Sequence, residues 1–111
     1  MSRIAVIGAG YVGLTTGACF AHLGHDVVCA DVVAEKIDRL NRGEIPIVEA
    51  GLENLVADGL RSGRLHFVVG AVTAVPDAEF VYLCVPTPQG ADGSADLSYL
   101  ETAAAQIREH L

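Results

Sequence analysis

The sequence predicts an α/β fold built on a doubly wound parallel sheet, and three observations carry that expectation. Four apolar residues, Ile4-Ala5-Val6-Ile7, run directly into Gly8-Ala9-Gly10-Tyr11-Val12-Gly13. A helix-compatible segment follows to Leu23, Gly24 stops it, and a second apolar run, Val27-Val28-Cys29-Ala30, ends on Asp31. The composition is 51% hydrophobic but only 5% aromatic, so the core must be built from Val, Leu, Ile and Ala. Such residues suit a parallel sheet buried on both faces.

Strand, glycine turn, helix, strand and acid is the order of a dinucleotide-binding βαβ unit. Gly8 permits a sharp turn off the first strand, and Gly10 lacks the Cβ that would keep a pyrophosphate from the backbone. Gly13 lets the following helix pack closely. The helix start offers unpaired N–H groups and a positive dipole end to phosphate. Asp31 stands 18 residues past Gly13, where a carboxylate can accept bonds from the adenosine ribose hydroxyls. Its charge also opposes the 2′-phosphate of NADP, and Val32-Val33 provide no arginine to offset it, so NAD is the expected cofactor.

The remaining elements follow in order. Val33, Ile37 and Leu40 fall at helical spacing over residues 33–42, and Gly43 supplies a stop. Lys36 sits early in that helix, near the expected ribose; a bland pairing with Glu35 or Asp38 is the other reading. Residues 44–51 are irregular, and Leu52, Leu55, Val56 and Leu60 then mark one face of a helix ended by Gly63. Leu65 to Val69 is a third strand, and residues 70–78 form a weakly patterned connection with room for one helical turn. Phe80 to Val85 is the fourth strand, stopped by Pro86-Thr87-Pro88. A last helix runs from Leu97 with Asp96 as N-cap and Leu97, Leu100, Ala104 and Ile107 inward. Right-handed crossovers order this sheet 3-2-1-4 and place a ligand where the winding reverses, between the ends of the first and fourth strands. Gly10 and Thr87 therefore converge on one crevice.

Other classes fit less well. At 111 residues and net charge −7, without a basic cluster, the chain is at most one domain and a poor match for nucleic acid. Residues 4–21 are uncharged and contain Gly13-xxx-Gly17, as a signal peptide or membrane helix would. The β-branched opening and the closely spaced glycines count against both. Cys19, Cys29 and Cys84 lack C-x-x-C spacing and lie in apolar stretches, which reads as reduced, buried thiols of a cytoplasmic protein. Cys84 at a strand end is a conceivable nucleophile, but no His or Lys is near it in sequence, and core packing is the simpler role. His22 and His25 lack a third metal ligand, so no metal is expected.

Three separated stretches, R-I-A-V-I-G-A-G-Y-V-G-L, I-P-I-V-E-A-G-L, and C-V-P-T-P followed by D-G-S-A-D-L-S-Y-L, resemble the UDP-glucose/GDP-mannose dehydrogenase family. The resemblance spans nearly the whole chain and implies a Rossmann-type domain. It implies an enzyme of nucleotide-sugar metabolism and polysaccharide biosynthesis that oxidises a C6 alcohol to a carboxylate in two hydride transfers to NAD. By resemblance, Tyr11 and Val12 offer backbone N–H groups to the pyrophosphate, Asp31 and Lys36 hold the adenosine ribose, and Thr87 meets the cofactor near the crevice. The family usually flanks the glutamate of its I-P-x-x-E-P-G-L stretch with an aromatic residue and a proline; Val48 and Ala50 stand there in this chain. Its catalytic cysteine, lysine and asparagine and its sugar-binding residues lie beyond position 111, so no catalytic residue is expected within the sequence.

Two functions are thus in view. One is the N-terminal NAD-binding part of a nucleotide-sugar dehydrogenase, lacking the catalytic and substrate domains and inactive alone. The other is a stand-alone NAD(H)-binding regulatory module. The V-P-T-P and D-G-S-A-D-L stretches favour the first, since a sensor has no need of them. If the sheet ends at the fourth strand, that uncharged strand is an open edge through which copies of the chain self-associate.

Overall fold

The structure, a computed structural model, describes residues 2–46, 49–85, 90, 93 and 97–108. The first strand, β1 (Arg3–Ile7), is followed by α1 (Tyr11–His22), β2 (Asp26–Asp31), α2 (Ala34–Asn41), α3 (Leu52–Ser62), β3 (Leu65–Val69), the single turn α4 (Ala71–Ala74), β4 (Phe80–Leu83) and α5 (Ser98–Ile107). All strand pairs are parallel and the order is β3-β2-β1-β4, as expected.

Alternation along the strands divides the core in two, because successive side chains of a strand point to opposite faces. Ile4 and Val6 of β1 and Val27 and Cys29 of β2 pack under α1, α2 and α3, where Leu14, Leu40 and Val56 are fully buried. Ala5, Ile7 and Ala30 face the other way, against Ala71, Ala74 and Val75 around α4 and Ala103 and Ile107 of α5. Burying each of Leu14, Leu40 and Leu65 contributes about 1.5–3 kcal/mol relative to leaving it exposed. The small residues on the α4 side let that helix turn lie close to the sheet.

Several sequence expectations need correction. β4 ends at Leu83 rather than Val85, because Leu83 pairs with Ile7 and Gly8 then turns β1 out of the ladder; a last bond runs from the Cys84 N–H to the Ile7 oxygen at 2.7 Å. Val33 is not part of the buried face of α2 but its N-cap, half exposed. On α5 the inward residues are Ala103 and Ile107, while Ala104 is exposed and Leu97 lies outside the helix as its N-cap. The Asp96 cap lies outside the described residues. Cys19 is exposed on the outer face of α1, whereas Cys29 is buried and Cys84 half-buried. Among the described residues, no helix is long and apolar enough to cross a membrane.

The winding reverses between β1 and β4. From β1 the chain moves through β2 to β3 with its helices on one face, then returns beneath the sheet through α4 to the far side of β1. The carboxyl ends of β1, β2 and β4 therefore open on a common mouth, where α1 begins.

Candidate functional site

The turn after β1 is built around two positions that admit no side chain. Gly8 has φ +106°, and a Cβ there would stand 2.6 Å from the Cys84 carbonyl oxygen. A Cβ at Gly13 would overlap the Gly8 carbonyl and stand 3.3 Å from the Cys84 Cβ, so this glycine lets the helix close on its own turn and on the residue that follows β4. Gly10 differs: it is the N-cap of α1, its backbone is extended, and a Cβ would meet nothing within 4 Å. The side chain that Gly10 lacks would project into open space beside the helix start. No side chain caps α1 and its first turn holds no acid, so the amides of Tyr11 and Val12 begin the helix without a side-chain competitor.

Asp31 closes the site from β2. Its Oδ2 accepts the Ala9 N–H at 2.9 Å and lies 3.3 Å from Lys36 Nζ, and its Oδ1 accepts the Val33 N–H at 3.1 Å. Burial pushes this carboxyl up, but the two backbone N–H groups and the Lys36 ammonium outweigh it and hold it below the usual aspartate range. Lys36 thus pairs with Asp31 and not with Glu35 or Asp38; Glu35 takes Arg39 at 2.9 Å.

A cavity of about 480 Å³ opens at this mouth, lined by Gly8, Asp31 and Lys36 together with Val85 and with Thr102 and Gln106 of α5. A second, of about 430 Å³, lies beyond Lys36 between α2 and the Ile45-Pro46 segment. The structure therefore gathers Gly8, Asp31 and Lys36 around one space and joins Gly10, Tyr11, Val12 and Gly13 to it through Ala9. Thr87 lies outside the described residues. The polar side of α5 went unrecognised in the sequence, although Ser98, Thr102 and Gln106 recur at helical spacing.

Around the rim, the Tyr11 hydroxyl donates to Glu49 Oε2 at 2.9 Å. That bond, and then the carboxylate charge, raise the phenol above its usual range. Neither Cys29 nor Cys84 is prepared as a nucleophile: burial, and then the Asp31 charge, push Cys29 up to about 12, and burial raises Cys84 as well. His25 Nδ1 accepts the Ser2 N–H at 3.1 Å. Among the described residues no three His, Cys, Asp or Glu side chains form a group that could hold a metal ion.

Backbone laid open at Gly10, beside helix amides that no side chain caps, suits the approach of an anionic ligand. With an acid at the neighbouring strand end and the mouth at the reversal of winding, this is a Rossmann-type dinucleotide-binding domain. The chain belongs to the UDP-glucose/GDP-mannose dehydrogenase family, whose NAD binding domain matches residues 2–111. It is 51% identical over 110 residues to UDP-glucose 6-dehydrogenase of Rhizobium meliloti, covering 98% of this chain and 25% of that protein. A UDP-glucose dehydrogenase structure from the archaeon Pyrobaculum islandicum superposes with a TM-score of 0.92 at 43% identity, over 96% of this chain and 25% of that one. A ternary complex of GDP-mannose dehydrogenase from Pseudomonas aeruginosa does so with 0.88 at 41%, over 96% and 26%. The chain spans about a quarter of the length of the relatives it matches.

Proposed function

We propose that this chain is the cofactor-binding part of a UDP-glucose 6-dehydrogenase, a cytoplasmic enzyme that oxidises UDP-glucose to UDP-glucuronate with two NAD and serves polysaccharide biosynthesis. On this reading residues 1–111 are the N-terminal part of the dinucleotide-binding domain. The catalytic and sugar-binding residues then belong to a longer polypeptide, and these residues alone are inactive. The extent of the matched relatives supports that division. We propose further that copies of the chain associate through the outer edge of β4.

The observation that carries the reading is the space beside Gly10, which a Cβ would enter without touching protein. A pyrophosphate there would receive the Tyr11 and Val12 amides, with Gly8 and Gly13 keeping the turn tight enough to present them. Asp31 and Lys36 would hold the adenosine ribose, and Thr87 would contact the cofactor from the far side of the crevice. Bound NAD supplies the hydride acceptor; the residues described here bind it, orient it and select it. Asp31 sets the selection, because its carboxylate opposes a 2′-phosphate.

Titration with NAD and NADP by calorimetry tests the cofactor assignment: NAD should bind and NADP should bind more weakly. Tighter binding of NADP would overturn it. Turnover by the full-length polypeptide with UDP-glucose and with GDP-mannose decides the sugar, and a preference for GDP-mannose would contradict the proposal.

A further inference from the structure

We propose that Asp31 positions the phosphate end of the cofactor as well as meeting its ribose: its carboxylate holds the glycine turn in shape through the Ala9 N–H. The inference rests on the NAD reading above and assigns Asp31 a second task within that site.

The turn is fastened to β2 at two successive amides. The Gly8 N–H reaches the Ala30 carbonyl at 2.7 Å, a backbone bond that any residue at position 30 would preserve. The Ala9 N–H reaches Asp31 Oδ2 at 2.9 Å, a bond that depends on the side chain at 31. Ala9 is fully buried and directly precedes Gly10, so its placement sets where Gly10 and the first amides of α1 lie. The same carboxylate accepts the N–H of Val33, the N-cap residue of α2, so one side chain ties the turn after β1 to the segment after β2. A carboxylate offers about four acceptor positions, and with Ala9, Val33 and Lys36 in place one remains for a ribose hydroxyl. All three bonds join protein atoms, so the strut needs no ligand atom to form.

The charged and titratable groups facing this carboxylate are Lys36 from α2 and the Cys29 thiol from β2. Burial pushes the Cys29 thiol up to about 12, so the group whose protonation in acid would change the Ala9 bond is the Asp31 carboxylate that makes it.

A ribose partner alone and a strut differ without adenosine present. In the cofactor-free chain labelled with nitrogen-15, Asp31→Ala should speed hydrogen exchange at the Ala9 amide by about tenfold or more, the scale of a lost charged hydrogen bond. Inorganic pyrophosphate, which has no ribose, should bind more weakly to the variant. Unchanged Ala9 exchange and unchanged pyrophosphate binding, with NAD alone weakened, would overturn the proposal. Should Asp31→Ala fail to fold, the parent decides: its Ala9 amide shift should follow one acid titration centred below the usual aspartate range, and a flat shift would overturn it. A parent that bound no NAD would sink the proposed function, yet these ligand-free readings would still decide the strut.

Discussion

Gly10 and Gly13 share one short motif, yet the space around each gives its missing side chain an opposite meaning. A Cβ added at Gly10 meets no protein atom within 4 Å, so a larger residue there opposes the phosphate and not the turn. Gly10→Val should therefore abolish NAD binding while leaving the unfolding free energy within about 1 kcal/mol of the parent. Gly13→Ala, whose methyl would overlap the Gly8 carbonyl, should instead destabilise the fold by about 1–3 kcal/mol or more. Chemical denaturation beside NAD titration separates the two, and a destabilised Gly10→Val that still binds NAD would invert the assignment. The glycine spacing told that a phosphate turn was present and that Gly10 faced the ligand, but not that Gly13 is needed by the turn itself, because that depends on the atoms of Gly8 and Cys84 brought against it. Asp31 was legible as an acid at a strand end; its bond to Ala9 was not, since no local pattern links a side chain to an amide across two strands. The depressed Asp31 carboxyl has a consequence in acid. Its contribution to stability is complete above the unfolded-state value of about 3.9 and is lost as pH falls through the lower folded value, because between the two the unfolded chain binds a proton that the folded chain does not. Urea midpoints measured from neutral pH down to about pH 2.5 should fall on this limb, and Asp31→Ala should flatten it; an equally steep fall in the variant would assign the acid limb to other carboxylates.

At the scale of elements, apolar runs located the four strands and helical spacing the longer helices, while α4 was only a weakly patterned stretch with room for one turn, and the errors fall where a neighbour decides. Phe80 to Val85 is apolar throughout, yet β4 stops when β1 turns away at Gly8. α5 was assigned its inward face with Ala104, but contact with α4 selects Ala103, one position earlier and on the side that faces Val75. The packing of α3 on β3 offers a sharper case. Gly59 lies inside α3, where helix propensity alone says that Ala would be better by about 1 kcal/mol. A Cβ there would come within 2.7 Å of Leu65 Cβ and 3.1 Å of its Cδ2. Leu65 is itself 1% exposed, and its Cβ is fixed to the backbone of β3, so the helix must move away rather than the side chain. The overlap is expected to exceed the propensity gain, and Gly59→Ala should lower stability by about 1–2 kcal/mol. A higher denaturation midpoint in Gly59→Ala would mean that α3 shifts from the sheet at little cost.

For the molecule as a whole, the order β3-β2-β1-β4 was legible because parallel crossovers of one hand leave few alternatives once four strands and their helices are recognised. That order also places β4 at an end of the sheet. Among the described residues its outer side is paired with no strand, and along it Phe80 and Tyr82 remain 53% and 40% exposed. Phe20 of α1 lies against Tyr82 at 5.2 Å between ring centroids, which extends the apolar surface from the strand onto the helix. An uncharged edge with unpaired backbone groups and exposed aromatic rings is a template for another strand, and nothing in β4 supplies the lysine or proline that usually blunts such an edge. The opposing influence is the net charge of −7, which repels a second copy at low ionic strength. Self-association should accordingly strengthen as salt rises from about 0.01 M to 0.15 M, where the screening length falls from about 30 Å to about 8 Å. Sedimentation velocity across micromolar concentrations is the measurement. Phe80→Lys adds a charge at an exposed position of the edge without opening the core, and it should shift the chain towards monomer at every salt concentration. A parent that sediments as a monomer throughout, or a Phe80→Lys variant that associates as strongly as the parent, would show that β4 is not the contact.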